Sequence, residues 1–260
     1  CNIKSGSINI LANDFPALRT LVETAKECKG SADFKVTHSS EHNKIAVPAL
    51  TANPSEFSVR VAANSSIVPL MNGGLIRPMN DLVKKYGKDI QDSQLITIDG
   101  KVMAVAFMAN TQHLYVRTDV LKENGIAIPK TYEEVVAAAE KIRAAGKMKH
   151  PYAAAYKAGW NLAEEFVNMF IGHGGEFFKA GSAQPNINNA KGVATLNMLK
   201  KLADLSNPDY LTHDSEAIKV EWESGNVAIM TLWASRSGTL LDDEGDAKIT
   251  AATKLVAPAT

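Results

Sequence analysis

At 260 residues the chain is long enough for one large domain or two moderate ones. Its 45% apolar and 22% charged composition is that of a globular protein. Lys+Arg and Asp+Glu both number 28, so the basic excess that a general nucleic-acid or anionic-membrane partner requires is missing. No run approaches the ~20 apolar residues of a membrane span.

The sequence opens on Cys1 and shows no signal peptide, an absence that does not decide localisation because mature secretory proteins lack theirs too. Ile8 to Ala12 reads as a buried strand. Asn13-Asp14-Phe15-Pro16 is a helix-start signal, with proline early in the first turn. Leu18, Leu21, Val22 and Ala25 recur at helical spacing, predicting a helix from about Pro16 to Cys28. A strand running one way and a helix running back bring Cys28 near the strand start, because a helix rises ~1.5 Å per residue against ~3.3 Å for a strand. That geometry favours a Cys1–Cys28 disulfide, worth ~3 kcal/mol, in an oxidising compartment. A lipidated Cys1, or two unpaired thiols with Cys28 in the core, are the alternatives.

Phe34 to Thr37 is a second strand, which makes strand, helix, strand, the signature of a parallel sheet. Ligands on such sheets bind beyond the carboxyl ends of strands, so Asn13, Asp14 and Phe15 stand at a candidate site. Glu41 to Ala52 is helical, started or kinked by Pro48. Phe57 to Ala62 is a third strand, ending in the polar cap Asn64-Ser65-Ser66. Asn80 to Tyr86 is an amphipathic helix. Leu95 to Ile98 and Val102 to Met108 flank Asp99-Gly100, a strong hairpin signal, since a type I′ turn needs positive φ at both central residues. A polar break, Asn110-Thr111-Gln112, separates this hairpin from a third run, Leu114 to Val116. Thr118 or Asp119 then caps a helix.

Thr131 with Glu134 forms a capping box for a helix from Tyr132 to Ala145. Tyr152 to Tyr156 is a strand. Gly159-Trp160-Asn161 opens a helix from Leu162 to His173, and Asn188-Asn189 caps one from Gly192 to Leu205. Asp214 or Ser215 starts a helix through Glu223. Val227 to Trp233 is an apolar strand followed by a helix start at Ala234-Ser235-Arg236-Ser237. Ile249 to Ala257 is a final strand. Asp242-Asp243-Glu244-Gly245-Asp246 reads as a solvated turn, too short for a calcium loop.

The run DGKVMAVAFMANTQHLYVRTDVLKENGIAIPKTYEEVVAAAEKI resembles the hinge-crossing segment of extracellular solute-binding proteins of ABC importers, in the sugar-binding family related to maltose-binding protein. Gly-Gly-Leu-Ile-Arg-Pro-Met-Asn-Asp-Leu is similar to the same family's G-x-L-x-P-L-D-D-L segment. Glu221 to Met230 is similar to its F-x-x-G-x-A-A-M segment. The resemblance implies an α/β, two-lobe fold of the periplasmic-binding-protein type, divided as 1–110 and 111–260, with a crossing strand near 249–260. It also implies a hinge near Ala109 to Thr111 and an interlobe cleft that closes on ligand. The implied function is a monomeric periplasmic or extracellular receptor that delivers a carbohydrate to permease subunits, with no cofactor, no metal and no catalysis. Family members usually continue past the strand matching Thr253 to Ala257, so the resemblance implies either a fragment or a shortened architecture.

Sugars present an apolar C–H face that stacks on aromatic rings, and hydroxyls that pair with planar polar groups. Phe15, Trp160 and Trp233 each stand beside such a group: Asp14, Asn161 and Arg236. Plain core packing is the competing reading for each ring; Trp222, mid-helix, is assigned to the core. Carried over by the resemblance, the ligand contacts are Asn13, Asp14, Ser65, Asn110, Gln112, Trp160, Trp233 and Arg236. Ser65 is the weakest, because many members have an acidic residue there. The sequence contains no HExxH, GxSxG or P-loop motif. Glu164 and Glu165 point about 100° apart on a helix, which does not make an acid/base pair. A receptor for a polyamine, amino acid or oxyanion, and an α/β enzyme acting on sugars, are the rival readings.

Overall fold

The computed structural model describes residues 3–28, 30–242 and 245–260. The chain forms two compact units, Cys1–Ala109 and Asn110–Thr260. The Cys1–Cys28 pairing lies outside the described residues because Cys1 does, and so does the middle of the acidic turn at Asp243 and Glu244. Among the described residues no helix is long and apolar enough to cross a membrane.

The first unit is built on a parallel sheet of β1 (Ser7–Ala12), β2 (Asp33–His38) and β3 (Val59–Arg60), with β1 in the middle. Its period-2 alternation sorts the core. Ile10 and Ala12 pack with Leu18 and Val22 of α1 (Pro16–Lys26). Leu11, between them in sequence, packs with Ala46 and Ala49 of α2 (His42–Thr51) and with Phe57. The sheet is thereby covered on both faces, as a parallel sheet requires. Pro48 sits inside α2 without ending it. The third strand is shorter than the run Phe57 to Ala62 implied; only Val59 and Arg60 pair with β1. Helices α3 (Asn64–Asn72) and α4 (Asn80–Tyr86) follow. The hairpin of β4 (Leu95–Ile98) and β5 (Lys101–Val105) turns at Asp99 and Gly100, with φ of 49° and 73°, the double positive φ of a type I′ turn.

The second unit has a four-stranded sheet in the order β7 (Tyr152–Ala153), β8 (Ile229–Trp233), β6 (Gln112–Arg117), β9 (Thr253–Val256). Strand β6 runs antiparallel to both β8 and β9, and β7 is parallel to β8. Alternation again divides the core. Leu114, Val116 and Ile229 join α6 (Tyr132–Ala144) and α8 (Ala190–Ala203). Tyr115, Met230 and Leu232 join Ile218 and Trp222 of α9 (Ser215–Glu223). The unit also holds α5 (Thr118–Glu123), α7 (Trp160–Gly172), α10 (Ser237–Leu240) and α11 (Ala247–Ala252).

Boundaries in the second unit differ from the sequence reading as well. The strand from Tyr152 stops at Ala153, although Ala154, Ala155 and Tyr156 stay buried. The segment from Ile249 is helix up to Ala252 and strand only from Thr253, because Asp246 accepts the backbone N–H groups of Lys248 and Ile249 and nucleates a turn. The helix expected from Leu162 begins at Trp160, since Gly159 at φ 105° turns the chain into it two residues earlier. The N-cap positions of α1 and α5 are Phe15 and Arg117 rather than Asp14 and Asp119. Asp14 pairs with Arg19, and Asp119 with Arg117.

Candidate functional site

In the first unit Asn13, Asp14 and Phe15 follow the carboxyl end of β1, and Ser65 lies in the first turn of α3, after β3. The two strands are paired at Ile10–Val59 and Leu11–Arg60. Asn13 is fixed by two contacts. Its side-chain oxygen accepts the Asp14 N–H at 2.7 Å, and its carbonyl faces His38 Nδ1 at 3.0 Å. Both carboxylate oxygens of Asp14 are held by Arg19, at 2.5 and 2.7 Å. Phe15 is half-buried against the Ile10–Leu18 cluster, and Ser65 is exposed.

In the second unit the residues converge on the start of β6 and the end of β8. Gln112 and Trp233 are directly opposed across those strands. Trp160, the first residue of α7, stacks on Trp233 with ring centroids 5.5 Å apart and planes 25° from parallel. Trp160 is nonetheless 46% exposed, an unusual position for an indole that is part of no core cluster. Asn161 is half-buried in the same first turn. The Asn110 side-chain oxygen accepts the Ser235 N–H at 3.1 Å, and Ala234 N–H donates to the Thr111 carbonyl at 2.9 Å. The polar break is thus laced to the turn that follows Trp233. Arg236 leaves that turn to meet Glu216 of α9 at 3.1 Å.

Gln112 belongs to β6 itself rather than to an open loop. It is buried, and its amide is bound at both ends: Nε2 donates to Glu165 Oε1 at 2.7 Å, and Oε1 accepts from Asn168 Nδ2 at 2.6 Å. Sequence reasoning did not single out this network. A signal was present: Glu165 falls within the stripe Leu162, Phe166, Met169, where helical periodicity demands an apolar residue. Burial pushes the Glu165 carboxyl up to about 8. Bonds from Gln112 and the Ala155 N–H oppose the shift, and Glu164 adds to it. Glu165 is therefore mostly a neutral acid at pH 7. Tyr115, whose hydroxyl donates to the Trp233 carbonyl at 3.2 Å, is pushed up to about 12 by burial.

Among the described residues no three or more His, Cys, Asp or Glu side chains gather so that they could hold a metal ion. A polar cavity of about 370 Å³ is lined by Lys219, Glu223, Asp242, Gly245 and Asp246; none of the expected contacts lines it. What the second unit does offer is an exposed aromatic surface on a braced polar base, suited to holding a small polar molecule with an apolar face.

The chain is 30% identical over 143 residues to a "Probable ABC transporter-binding protein" of Deinococcus radiodurans, an alignment covering 53% of this chain and 34% of that protein. The matched stretch thus spans about a third of the length of this curated relative. Its fold is similar to that of maltose-bound MalE3 of T. maritima, with TM-score 0.85 and 17% identity over 98% of this chain and 68% of that one. It is equally similar to a solute-binding protein of Agrobacterium radiobacter K84 in complex with ribitol, with TM-score 0.85 and 18% identity over 100% and 68%. A third neighbour, from Agrobacterium vitis S4 with bound D-mannitol, has TM-score 0.79 and 16% identity over 98% and 64%. The model of the bacterial extracellular solute-binding protein family matches residues 51–259, and the chain belongs to that family.

Proposed function

We propose that the chain is the binding component of an ABC importer that captures a neutral carbohydrate or polyol and delivers it to permease subunits. The observation that carries this reading is the stacked Trp160–Trp233 pair, 46% exposed at Trp160, with Asn161, Asn110 and Gln112 on the adjoining elements. An indole face receives the C–H face of a sugar, and planar amides take its hydroxyls. The fold neighbours crystallised with maltose, ribitol and D-mannitol support the ligand class. Trp160, Asn161, Trp233, Asn110, Gln112 and Arg236 are the proposed contacts of the second unit; Asn13, Asp14, Phe15 and Ser65 are those of the first. The action is reversible binding and not turnover, in the periplasm or outside the cell, as a monomer. The Cys1–Cys28 disulfide belongs to the same proposal: thiol alkylation without reductant leaves both cysteines unlabelled, and labelling of either one removes it.

Titration calorimetry with a panel of neutral sugars and polyols tests the function. Saturable binding of at least one, weakened tenfold or more by Trp160→Ala, is the expected result. Product formation from a bound sugar, or an affinity indifferent to Trp160→Ala, overturns it.

A further inference from the structure

The aromatic surface of the second unit depends on a helix whose docking is fixed by polar bonds. Helix α7 carries Trp160 at its start and Glu165 and Asn168 on one face further along, three residues apart and so neighbours on the helix surface. Both reach the same side chain, Gln112. Gln112 is the cross-strand partner of Trp233, and Trp233 is the ring on which Trp160 lies. The four contacts close a loop from α7 to β6, across to β8, and back to α7. Apolar packing is non-directional, so Leu162, Phe166 and Met169 alone would tolerate a shift of α7 along the sheet. One helical turn is ~5.4 Å, enough to carry Trp160 off Trp233.

We propose that Glu165, through its bond to Gln112, is a positioning residue that holds Trp160 in register on Trp233 and so sets the aromatic platform for ligand. This deepens the proposed carbohydrate-binding reading and rests on it for its consequence on affinity, but not for its consequence on the indole pair. The groups facing Glu165 are Glu164 on α7, Tyr132 on α6, and Tyr152 and Tyr156 on the strand and segment after α6. Burial raises all three phenols further above neutrality. Among the described residues, the charge that acts on Glu165 is Glu164, which is of like sign. Ionised Glu165 would therefore stand in the core without a counter-charge.

The test is the exciton couplet of the stacked indoles in far-ultraviolet circular dichroism, identified as the signal that Trp160→Phe removes. In ligand-free protein, Glu165→Ala is expected to lose at least half of the couplet while the unit still melts cooperatively, and Glu165→Gln to keep it. Should the alanine variant not fold, pH supplies the second arm. The wild-type couplet falls between pH 6 and 9.5, and that of Glu165→Gln stays constant. A couplet untouched in folded Glu165→Ala overturns the proposal, as does a wild-type couplet independent of pH or a Glu165→Gln profile that tracks the wild type. Ligand affinity is measured alongside and should follow the couplet, with a drop of tenfold or more where the couplet is lost. If the couplet behaves as stated and no sugar binds at any pH, the positioning role stands and the carbohydrate reading falls.

Discussion

Raising the pH should destabilise the second unit in a defined window, and the cause is one carboxyl group. Glu165 has its folded pKa pushed from 4.5 to about 8 by burial. Between those values the folded state holds a proton that the unfolded chain has released. Stability therefore falls as pH rises, since the folded state binds more protons. The contribution is fully present below about pH 4.5 and is lost by about pH 8. At ~1.4 kcal/mol per pKa unit, the shift amounts to roughly 5 kcal/mol across the window. That is comparable to the whole stability of many domains, ~5–15 kcal/mol. All three tryptophans, Trp160, Trp222 and Trp233, lie in the second unit, so urea unfolding followed by indole fluorescence reports on that unit alone. Other groups also titrate. Glu164 is raised by burial and acts in the same direction. Comparison with Glu165→Gln cancels it. The expected result is a wild-type stability that drops relative to Glu165→Gln by several kcal/mol from pH 5 to 8.5, then levels. Parallel profiles for the two proteins would refute the assignment of a buried neutral acid.

Trp222→Ala should cost ~3–5 kcal/mol in the same urea assay, because the ring is fully buried, meets Tyr115 edge-on at 6.3 Å and donates to Thr253 Oγ1 at 3.0 Å; a loss under 1 kcal/mol would show that the site collapses freely. Thr131→Ala should cost ~1 kcal/mol by removing the bond from Glu134 N–H at the start of α6, read as a lower urea midpoint at unchanged slope. Gly100→Ala should cost ~1 kcal/mol in the β4–β5 hairpin, where φ is 73°. Hydrogen exchange of the hairpin amides reports it, and unaltered protection would show that the turn relaxes to another type.

Much of this architecture was legible in the sequence because its signals are local. The parallel β1–α1–β2 start follows from an apolar run, a proline at the helix start and a 3.6-residue repeat. The Asp99-Gly100 turn and the Thr131 and Asn189 caps follow from residues whose conformational or hydrogen-bonding preference acts within four positions. Boundaries failed where tertiary pairing decides them. The runs at Phe57–Ala62 and Tyr152–Tyr156 are apolar enough for longer strands, but only two residues in each find a ladder partner. The Ile249 segment has strand-forming residues, yet the Asp246 cap and the alanines at 251 and 252 favour a helical turn first. Among site residues, the stacking of Trp160 on Trp233 could not be read, since they are separated by 73 positions and meet only through the sheet. Glu165 was noticed for its neighbour Glu164, when its position in the apolar stripe was the more telling fact.

Hydrogen-bonding capacity separates the proposed ligand contacts from one another. Gln112 already spends its amide oxygen on Asn168 and one N–H on Glu165, and it is buried. Its remaining capacity toward a sugar hydroxyl is small, so it acts chiefly as the joint between α7 and β6. Asn110 uses its oxygen for the Ser235 N–H and keeps a planar NH₂ group on an exposed side chain. Asp14 receives Arg19 on both oxygens, and the arginine fixes the plane of its carboxylate. Bracing of this kind removes rotamer entropy before ligand arrives, which lowers the cost of binding. A residue with its polar atoms fully committed supports the site, whereas one that is braced and still has capacity can touch the ligand. On that physical ground Asn110 is a stronger proposed contact than Gln112, which the sequence pattern alone had ranked beside it.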